Sequence, residues 1–503
     1  MQIAWFKHDL RISDHGPLTA ALGDGETIPL YIIEPELYKQ PDMSFRHYDY
    51  LVRSLDALAK ELEGKGHHLV IRVGEAVEIF RDLCHKHNVQ SIYSYKETWN
   101  NWTRKRNVRL REWINTSPVK WIELQHNGVI SNLSDRNGWS RLWYKEMNKP
   151  IAALPKNFET LNIQSQEIPT PDILGLRNDG IGKFPKVGSL EAINLLQSFT
   201  SKRGKYYSSE MSSPLTASTA CSRLSTHFSF GSISIRQAFQ NIDRKSKSLS
   251  LLPPEDRRSW TKVFSSFQSR LRWHCHFIQK LEDEKSIEFE SLHPDLIGLR
   301  ENSINLEFLE RWKLGLTGYP MIDACMRSLI STGWLNFRMR AMLVSFASYH
   351  LWLHWRPISI YLANLFLDYE PGIHYSQVQM QSGTTGINAI RIYNPIKQGI
   401  EHDPEGVFIR NWIPELRDMK KNEIHEPWHT PSKMNGYPNP LVEEKSARKD
   451  AASKIFLLRK KTGFYENSKK IFEKHGSRKK SFKRQKKINF YSSNSQKQFS
   501  FEN

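Results

Sequence analysis

The spacing of apolar residues changes once along this chain, and that change constrains the fold most. Up to about residue 125, short β-type runs alternate with amphipathic helical patterns. The runs read MQIAWF, IPLYIIEP, HHLVIRVG, SIYSYKE and VKWIELQH, and two helical patterns between them read SFRHYDYLVRSLDALAKELEGKG and AVEIFRDLCHKHN. This alternation predicts a Rossmann-like α/β domain over residues 1–125, with a parallel sheet covered by helices. The glycine-rich fingerprint of nicotinamide dehydrogenases is absent, which argues against that class.

The remainder of the chain has almost only helical patterns. Pro, Gly, Asn and Asp are dense over residues 126–195, which predicts a linker along the surface. Over residues 196–465 nearly every apolar pattern has helical spacing, so we predict a large all-helical domain. Residues 466–503 are polar and basic, which predicts a disordered tail. This tail is a candidate nucleic-acid arm or nuclear address, and a simple solvated tail explains it equally well.

The bulk composition indicates a globular protein without a membrane partner. The chain has 503 residues, of which 39% are hydrophobic, enough for two domains and appendages. No apolar run reaches the roughly 20 residues of a membrane span. The opening MQIAWFKHDL lacks the basic and long apolar regions of a secretory signal. We expect a cytoplasmic monomer, or a nuclear one in a eukaryotic host.

The net charge of +19 favours a polyanionic partner. Residues 469–503 hold eleven Lys or Arg against two Glu, so nine of these charges lie in the tail and ten in the body. Nucleic acid is the simplest partner for such a body, held through phosphate contacts that weaken with salt. Solubility alone remains an alternative explanation of the charge.

The cysteines give no sign of a metal or of disulfides. They lie far apart along the chain and form no CxxC pair: Cys84, Cys221, Cys275 and Cys325. This spacing argues against a zinc site and a disulfide framework, and fits a reducing compartment. We therefore predict no metal.

Residues 318–395 place charged side chains within apolar helices. Arg338 and Arg340 lie among Met, Leu and Phe, and a second apolar helix ends at Asp368 and Glu370. An unpaired buried charge costs several kcal/mol, so such charges need partners. We predict that Arg340 pairs with Asp368 and that both face a polar, aromatic ligand. A structural ion pair between two core helices is the alternative.

Five motifs in order make this chain resemble the cryptochrome/photolyase family. They are WFKHDLRISDH at the start, SRLSTHFSFGSISIRQAF at 222–239, GYPMIDACMRSLISTGW at 318–334, RMRAM at 338–342, and RIYNPIKQG with FIRNWIPEL within 391–416. The resemblance covers residues 1 to about 430. It implies an α/β domain, a linker and an all-α domain that binds FAD in a U shape.

The resemblance assigns cofactor roles to residues of the helical domain. Those matching the segment that holds the FAD phosphates are Tyr207, Ser222, Leu224 and Ser225. Arg340 and Asp368 match the pair beside the flavin ring, and Glu370 stands where the family usually has a second aspartate. His374 stands opposite flavin N5, where its titration near neutral pH would let it protonate the flavin. Trp355 matches the middle tryptophan of the family's electron relay.

The resemblance also implies a DNA substrate, in which a damaged pyrimidine pair is flipped into a pocket over the FAD adenine. Trp273 matches the stacking tryptophan for the lesion, and core packing is its alternative role. Arg338 and Gln398 match residues that reach the lesion or its backbone. Arg270 occupies the place of a glutamate that contacts the lesion, and Met380 that of a second tryptophan.

Other departures from the family pattern bear on function. Phe337 replaces an asparagine of the enzymes that repair cyclobutane dimers, and the histidines of the animal (6-4) enzymes are missing. Val378 and Asn302 replace the outer two tryptophans of the electron relay. A rerouted relay would have to use other aromatic residues, of which Trp352, Tyr375 and Tyr393 are candidates.

A second, light-harvesting chromophore of folate or deazaflavin type is common in the α/β domain of this family. The segment YKETWNNWTRKRN (95–107) lies where it binds, and its two tryptophans either close that site or stack on the ligand. With one of the four cysteines in the α/β domain, we predict no iron–sulfur cluster.

Two functions follow from the resemblance. The first is a light-driven photolyase that repairs pyrimidine lesions by electron transfer from reduced FAD. The second is a cryptochrome, a blue-light receptor that signals through a partner protein. A DNA-binding flavoprotein with neither activity is a third alternative.

Overall fold

The computed structural model describes residues 1–133, 135–154, 163–182, 184–302 and 304–477. It confirms the five predicted strands: β1 (Gln2–Phe6), β2 (Thr27–Ile33), β3 (Val70–Val73), β4 (Ser91–Tyr95) and β5 (Lys120–Leu124). All pairings are parallel and the spatial order is β3-β2-β1-β4-β5. The order reverses between β1 and β4, so a crevice forms at their carboxyl ends.

Helices cover both faces of this sheet. They are α1 (Gly16–Gly23), α2 (Pro35–Tyr38), α3 (Phe45–Glu63), α4 (Ala76–His87) and α5 (Asn101–Asn115). Helix α3 begins with a capping box between Ser44 and His47. Because strand side chains alternate, Ile3 and Trp5 pack into the core on one face, while Ala4 and Phe6 pack into the core on the other.

Beyond the sheet, the described part of the chain is mostly helical, as predicted for residues 196–465. The helices are α6 (Trp139–Met147), α7 (Gly188–Ser201), α8 (Tyr207–Glu210), α9 (Ala217–Ala220), α10 (Ser225–Ser229), α11 (Ile235–Lys247), α12 (Pro254–Asp283), α13 (Leu306–Lys313), α14 (Pro320–Thr332), α15 (Phe337–Ser345), α16 (Trp355–Leu365), α17 (Pro371–Ser382), α18 (Pro395–His402), α19 (Val407–Trp412), α20 (Glu444–Arg459) and α21 (Phe464–His475). The longest, α12, begins with Pro254 at its first position, where proline is best tolerated.

The predicted linker over 126–195 contains a helix that belongs to the core, so the prediction of a surface connector is wrong there. Helix α6 buries Trp139, Trp143 and Met147 against α11 and α12. These residues lie four apart, which aligns them on one helical face. Dense polar residues around them hide this stripe in the sequence.

The predicted disordered tail also begins too early. Residues 466–475 belong to α21, which buries Phe464, Ser468 and Phe472 at four-residue spacing. The ring of Phe464 stacks on His293 at 4.0 Å. Residues 478–503 lie outside the described part of the chain.

The two domains dock through buried polar contacts and one close backbone approach. Arg236 of α11 pairs with Asp14 at 2.7 Å, and Arg46 of α3 donates to the Leu365 carbonyl at 2.7 Å. At Gly231 (φ 75°), an added Cβ would lie 2.3 Å from the Cα of Asp9. Within the described residues, no helix combines the length and the apolar character that crossing a bilayer needs.

Candidate functional site

Helices α12, α15 and α17 enclose a cavity of about 420 Å³ in the helical domain. This volume is within the usual range for small-molecule sites, about 300–1,000 Å³. The cavity brings together many of the predicted site residues: Arg270, Trp273, Arg340, Asp368, Glu370, His374 and Met380. Residues far apart in sequence therefore share one concave site.

The predicted pair of Arg340 and Asp368 is confirmed. The guanidinium donates two hydrogen bonds, of 2.9 and 2.8 Å, to the two carboxylate oxygens, and lies 4.0 Å over the Phe366 ring. Burial opposes ionisation of Asp368, but the Arg340 guanidinium holds the pKa of that carboxyl below its usual range. Asp368 therefore offers an ionised acceptor to a ligand N–H at neutral pH.

The pKa of the Glu370 carboxyl is raised, whereas that of Asp368 is lowered. The Glu370 carboxyl caps the N-terminus of α17 by accepting from the Gly372 N–H at 3.3 Å. Burial raises the pKa of Glu370 to about 8. Two carboxyls separated by one residue thus differ in charge at neutral pH.

The expectation that His374 titrates near neutrality is wrong. Burial lowers the pKa of His374 to about 4. Its Nε2 lies 2.8 Å from the Ser359 carbonyl, so the neutral ring donates its proton there. His374 faces the cavity as a neutral, positioned imidazole.

Trp273, on α12, lines the cavity. It stacks on Phe277 at 5.5 Å and meets His276 edge-on at 4.9 Å. Its indole Nε1 is buried and has no hydrogen-bond partner. Arg270 lies 5.8 Å over the Phe337 ring, which is 41% exposed.

The residues predicted to hold the FAD phosphates lie outside the lining of the cavity. Tyr207 packs edge-on against Phe199 at 5.4 Å, and Leu224 is fully buried in the same core. The Ser222 carbonyl accepts from Arg203 at 3.2 Å. Ser225 is linked to the site, because a hydrogen bond from its side chain helps to lower the pKa of Asp368.

Arg223 is a residue of this segment that sequence reasoning missed. It adopts φ 64° and lies 3.7 Å over the Trp334 ring. Its Nη1 is buried without a hydrogen-bond partner. Burial lowers the pKa of the Arg223 guanidinium, and the negative charge of the Asp368 carboxylate partly offsets this effect. A non-glycine residue in the left-handed region marks a constrained position.

Three further predicted residues do not line the cavity. Arg338 lies 5.9 Å over the Tyr393 ring, and Gln398 donates to Glu401 at 3.2 Å. Trp355 is fully buried, donates to Ser291 at 3.1 Å and lies 6.5 Å from the ring of Tyr375.

Aromatic rings connect the cavity to Trp355. Tyr369 lines the cavity, and its ring lies 6.4 Å from that of Tyr375. Val378 lines the cavity at a family tryptophan position, whereas Asn302 is exposed. Of the candidate relay residues, Tyr375 thus lies between the cavity and Trp355.

The crevice at the carboxyl ends of β1 and β4 is nearly filled. It encloses about 40 Å³, and Trp99 stacks on His8 within it at 3.7 Å. Arg106 bonds to both Glu34 and Glu97 beside it. From the sequence, the tryptophans of this segment either close the site or stack on a ligand, and in this conformation Trp99 closes it. The identity of a second chromophore stays a prediction.

The cavity residues fit a flavin. Asp368 supplies an ionised acceptor and Arg340 a cation that offsets negative charge on a ring. Trp273 and Gln377 line the cavity, and the Trp273 Nε1 and the Gln377 Oε1 are buried polar atoms without partners, as expected near a site where a ligand supplies hydrogen bonds.

Comparison with known proteins agrees with this geometry. The family model for the FAD binding domain of DNA photolyase matches residues 267–456, and that for DNA photolyase matches residues 2–135. The deoxyribodipyrimidine photo-lyase of Escherichia coli is 28% identical, over 89% of this chain and 96% of that protein. The protein of the same name from Agrobacterium fabrum is 27% identical, over 92% and 98%.

Solved structures share the fold along most of the chain. A photolyase from Sulfolobus tokodaii with two FAD molecules aligns with a TM-score of 0.76 at 25% identity, over 91% of this chain and 99% of that one. A cryptochrome from Synechocystis aligns with a TM-score of 0.77 at 21% identity, over 90% and 98%. The chain belongs to the cryptochrome/photolyase family, and its helical domain is the FAD-binding domain of that family.

Proposed function

We propose that this protein is a light-driven photolyase that uses FAD to repair UV-induced pyrimidine lesions in DNA. The observation that carries the proposal is that Trp273 and the Arg340–Asp368 pair line the same cavity. Trp273 suits a stacked base and the Arg340–Asp368 pair suits a flavin ring, so the two ligands would share one cavity, as electron transfer between them requires.

The roles of the residues follow from their charge and shape. When bound, FAD in its reduced form would supply the light-driven chemistry, one electron lent to the lesion and returned once its bonds have split. Arg340 offsets the negative charge of the reduced ring, and the ionised Asp368 accepts a ligand N–H. Trp273, which is half-buried at the cavity, stacks against the flipped lesion, and such stacking contributes about 1–3 kcal/mol per base.

Charge and relatives support DNA as the partner. The net charge is +19, and cations at the cavity wall suit a phosphate backbone. The relatives named deoxyribodipyrimidine photo-lyase match nearly their full length.

A blue-light receptor is the second candidate, and one observation favours it. Phe472, His475 and Ser477, at the end of the described chain, line the flavin cavity. A change at the flavin would therefore reach a C-terminal segment directly. Arg270 and Phe337, at positions of family lesion contacts, are consistent with this function.

A repair assay separates the two functions. Purified protein with chemically reduced flavin is illuminated with blue light on oligonucleotides carrying one cyclobutane dimer or one (6-4) lesion, beside dark controls. Chemical reduction bypasses the altered electron relay. We expect light-dependent restoration of one lesion, a loss of about tenfold or more in Trp273→Ala, and no change in Phe289→Ala.

Phe289 is a suitable control because its ring is 38% exposed and lies outside the cavity. Failure to restore either lesion, with flavin bound and reduced, contradicts the proposed repair. The receptor function then predicts that illumination changes the protease sensitivity of the α21 segment.

A further inference from the structure

Four basic side chains meet at one end of the flavin cavity, where it adjoins a second cavity of about 260 Å³. His276 and Lys280 come from α12, His475 ends α21, and Arg136 precedes α6. We call these four residues the basic cluster. His276 lines both cavities, Lys280 and His475 line the flavin cavity, and Arg136 lines the smaller one.

The cluster is buried, and part of it has no partner. Lys280 is 5% exposed and His475 is 1% exposed. Within the described residues, the Lys280 ammonium has no hydrogen-bond acceptor or carboxylate partner, and its contact is the Phe277 ring at 5.3 Å. The Nδ1 of His475 is likewise buried without a partner. Such groups are costly unless a ligand satisfies them.

The remaining contacts of the cluster supply little negative charge. Arg136 donates to the Nδ1 of His276 at 2.7 Å and lies 3.3 Å from a carboxylate oxygen of Asp283. That carboxyl also accepts from Gln279 at 2.7 Å. Glu284, nearby, is paired with Lys474.

Burial lowers the pKa values of three residues of the basic cluster, and neighbouring cations lower them further. Burial, followed by the charge of Arg136, lowers the pKa of Lys280 to about 7. Burial and the nearby cations also lower the pKa values of His276 and His475. The two imidazoles are therefore neutral N–H donors at neutral pH, and a bound anion would offset the charge of Arg136 and favour the charged form of Lys280.

We propose that the basic cluster is a binding site for a phosphate group at the edge of the flavin cavity. A metal ion does not suit a set of donors and cations, whereas phosphate accepts several hydrogen bonds at once. Arg272, which lines the smaller cavity, adds a further cation. The exposed Ser477 lines both cavities, so the site is reached from the surface.

The phosphate has two sources with the same chemistry. It is either a backbone phosphate of DNA, in which case the site rests on the proposed function, or a small phosphate monoester from solution. The experiment therefore uses two probes, inorganic phosphate and a short undamaged single-stranded oligonucleotide. Neither probe requires repair activity, so failure of the repair assay and failure of this proposal are separate results.

The test is isothermal titration calorimetry on the full, flavin-loaded chain in phosphate-free buffer. We expect saturable binding of inorganic phosphate by the wild type and a loss of at least about tenfold in affinity in Lys280→Met. Lys285→Met is the matched control, since it removes one exposed lysine just beyond the same helix. Its affinity should stay within about twofold of the wild type.

Thermal unfolding confirms that the variants fold. Lys280→Met should melt no lower than the wild type without phosphate, because it removes an unpaired buried cation. Phosphate should raise the melting temperature of the wild type and leave that of Lys280→Met unchanged. His475→Gln, a second variant in the same cluster, should also weaken phosphate binding.

The oligonucleotide identifies the source. Equal weakening of phosphate and oligonucleotide binding in Lys280→Met assigns the site to the DNA backbone. Weakening of phosphate binding alone assigns it to a small monoester. The proposal is overturned if the wild type shows no saturable phosphate binding, or if both variants bind phosphate as tightly as the wild type.

Discussion

Single side chains set the electrostatics of the flavin cavity. Arg340 keeps Asp368 ionised, whereas Glu370, two residues later, stays protonated because it is buried without a cation. The same cavity thus holds a fixed negative charge and a neutral acid. These two states lead to predictions that urea denaturation can check.

The Arg340–Asp368 pair stabilises the fold as well as the site. In Asp368→Asn the guanidinium loses its ionised partner, so we expect the free energy of unfolding to fall by about 2–3 kcal/mol. We also expect the variant to purify with less flavin. Urea denaturation and the flavin absorbance of the purified protein measure the two effects.

Glu36→Gln is the control for this variant, because its ion pair with Lys39 is exposed on both sides. It should change the free energy of unfolding by less than about 0.5 kcal/mol. Equal effects of the two variants would contradict a special role for the cavity pair.

Glu370 makes stability depend on pH with a defined sign. Its pKa is raised from 4.5 to about 8 in the folded protein. Its contribution to stability is therefore complete below 4.5 and is lost as the pH rises toward 8. Glu370→Gln removes this loss, so its stability relative to the wild type should increase by about 3.5 kcal/mol between about pH 5 and pH 8.

Urea denaturation of both proteins at the two pH values gives this difference directly. Other buried acids with raised pKa values, among them Glu34 and Glu288, are present in both proteins. Their contribution to the pH dependence of stability therefore cancels in the difference. A difference that stays constant with pH would mean that Glu370 is ionised in the folded protein.

Sequence reasoning found the residues whose chemistry demands a partner. Arg340 and Asp368 were predictable as a pair because charges in apolar helices must be neutralised. The neutral state of His374 was not, since it depends on burial and on the Ser359 carbonyl, which α16 supplies. Lys280 and His475 share a site through the packing of α21, which no local pattern reveals.

At the scale of elements, docking of the two domains depends on a backbone approach. An added Cβ at Gly231 would lie 2.4 Å from the His8 carbonyl oxygen, and the residue has φ 75°. Gly231→Ala should therefore lower the free energy of unfolding by at least about 3 kcal/mol, from both strain and the steric clash.

Gly436→Ala separates these two causes. Gly436 has φ 82° and open space around its missing Cβ, so only the strain of about 1–2 kcal/mol applies. Urea denaturation of both variants measures the difference. Equal losses of unfolding free energy in the two variants would show that the backbone of residues 8 and 9 shifts readily to accept the added Cβ.

Helix α21 is held by a few aromatic contacts. Phe464→Ala removes the stacking on His293, so we expect α21 to open locally while the core stays folded. Hydrogen exchange of residues 464–475 should become faster by about tenfold or more. Lys470→Ala, an exposed change on the same helix, should leave exchange unaltered.

Exchange rates equal to the wild type in Phe464→Ala would contradict this role for the ring.

The same helix shows why sequence reasoning missed two elements. Helices α6 and α21 each bury a few residues at four-residue spacing within polar, charged sequence. Average composition then indicates a loop, although one face is apolar.

At the scale of the whole molecule, the architecture was predictable. The five strands and the all-helical half follow from periodic patterns that local physics enforces. The contact between the halves was not, because it rests on single residues such as Gly231 and Arg236. The net charge of +19 belongs to the entire chain, so it indicates the class of partner but not where on the protein that partner binds.

The central claim is that the flavin and a DNA lesion occupy one cavity. The excited-state lifetime of the chemically reduced flavin tests it most directly, with a saturating oligonucleotide that carries a cyclobutane dimer or no lesion. We predict that the damaged strand shortens the lifetime, that the undamaged strand does not, and that Trp273→Ala abolishes the difference. Equal lifetimes with the two strands in the wild type would contradict a shared cavity.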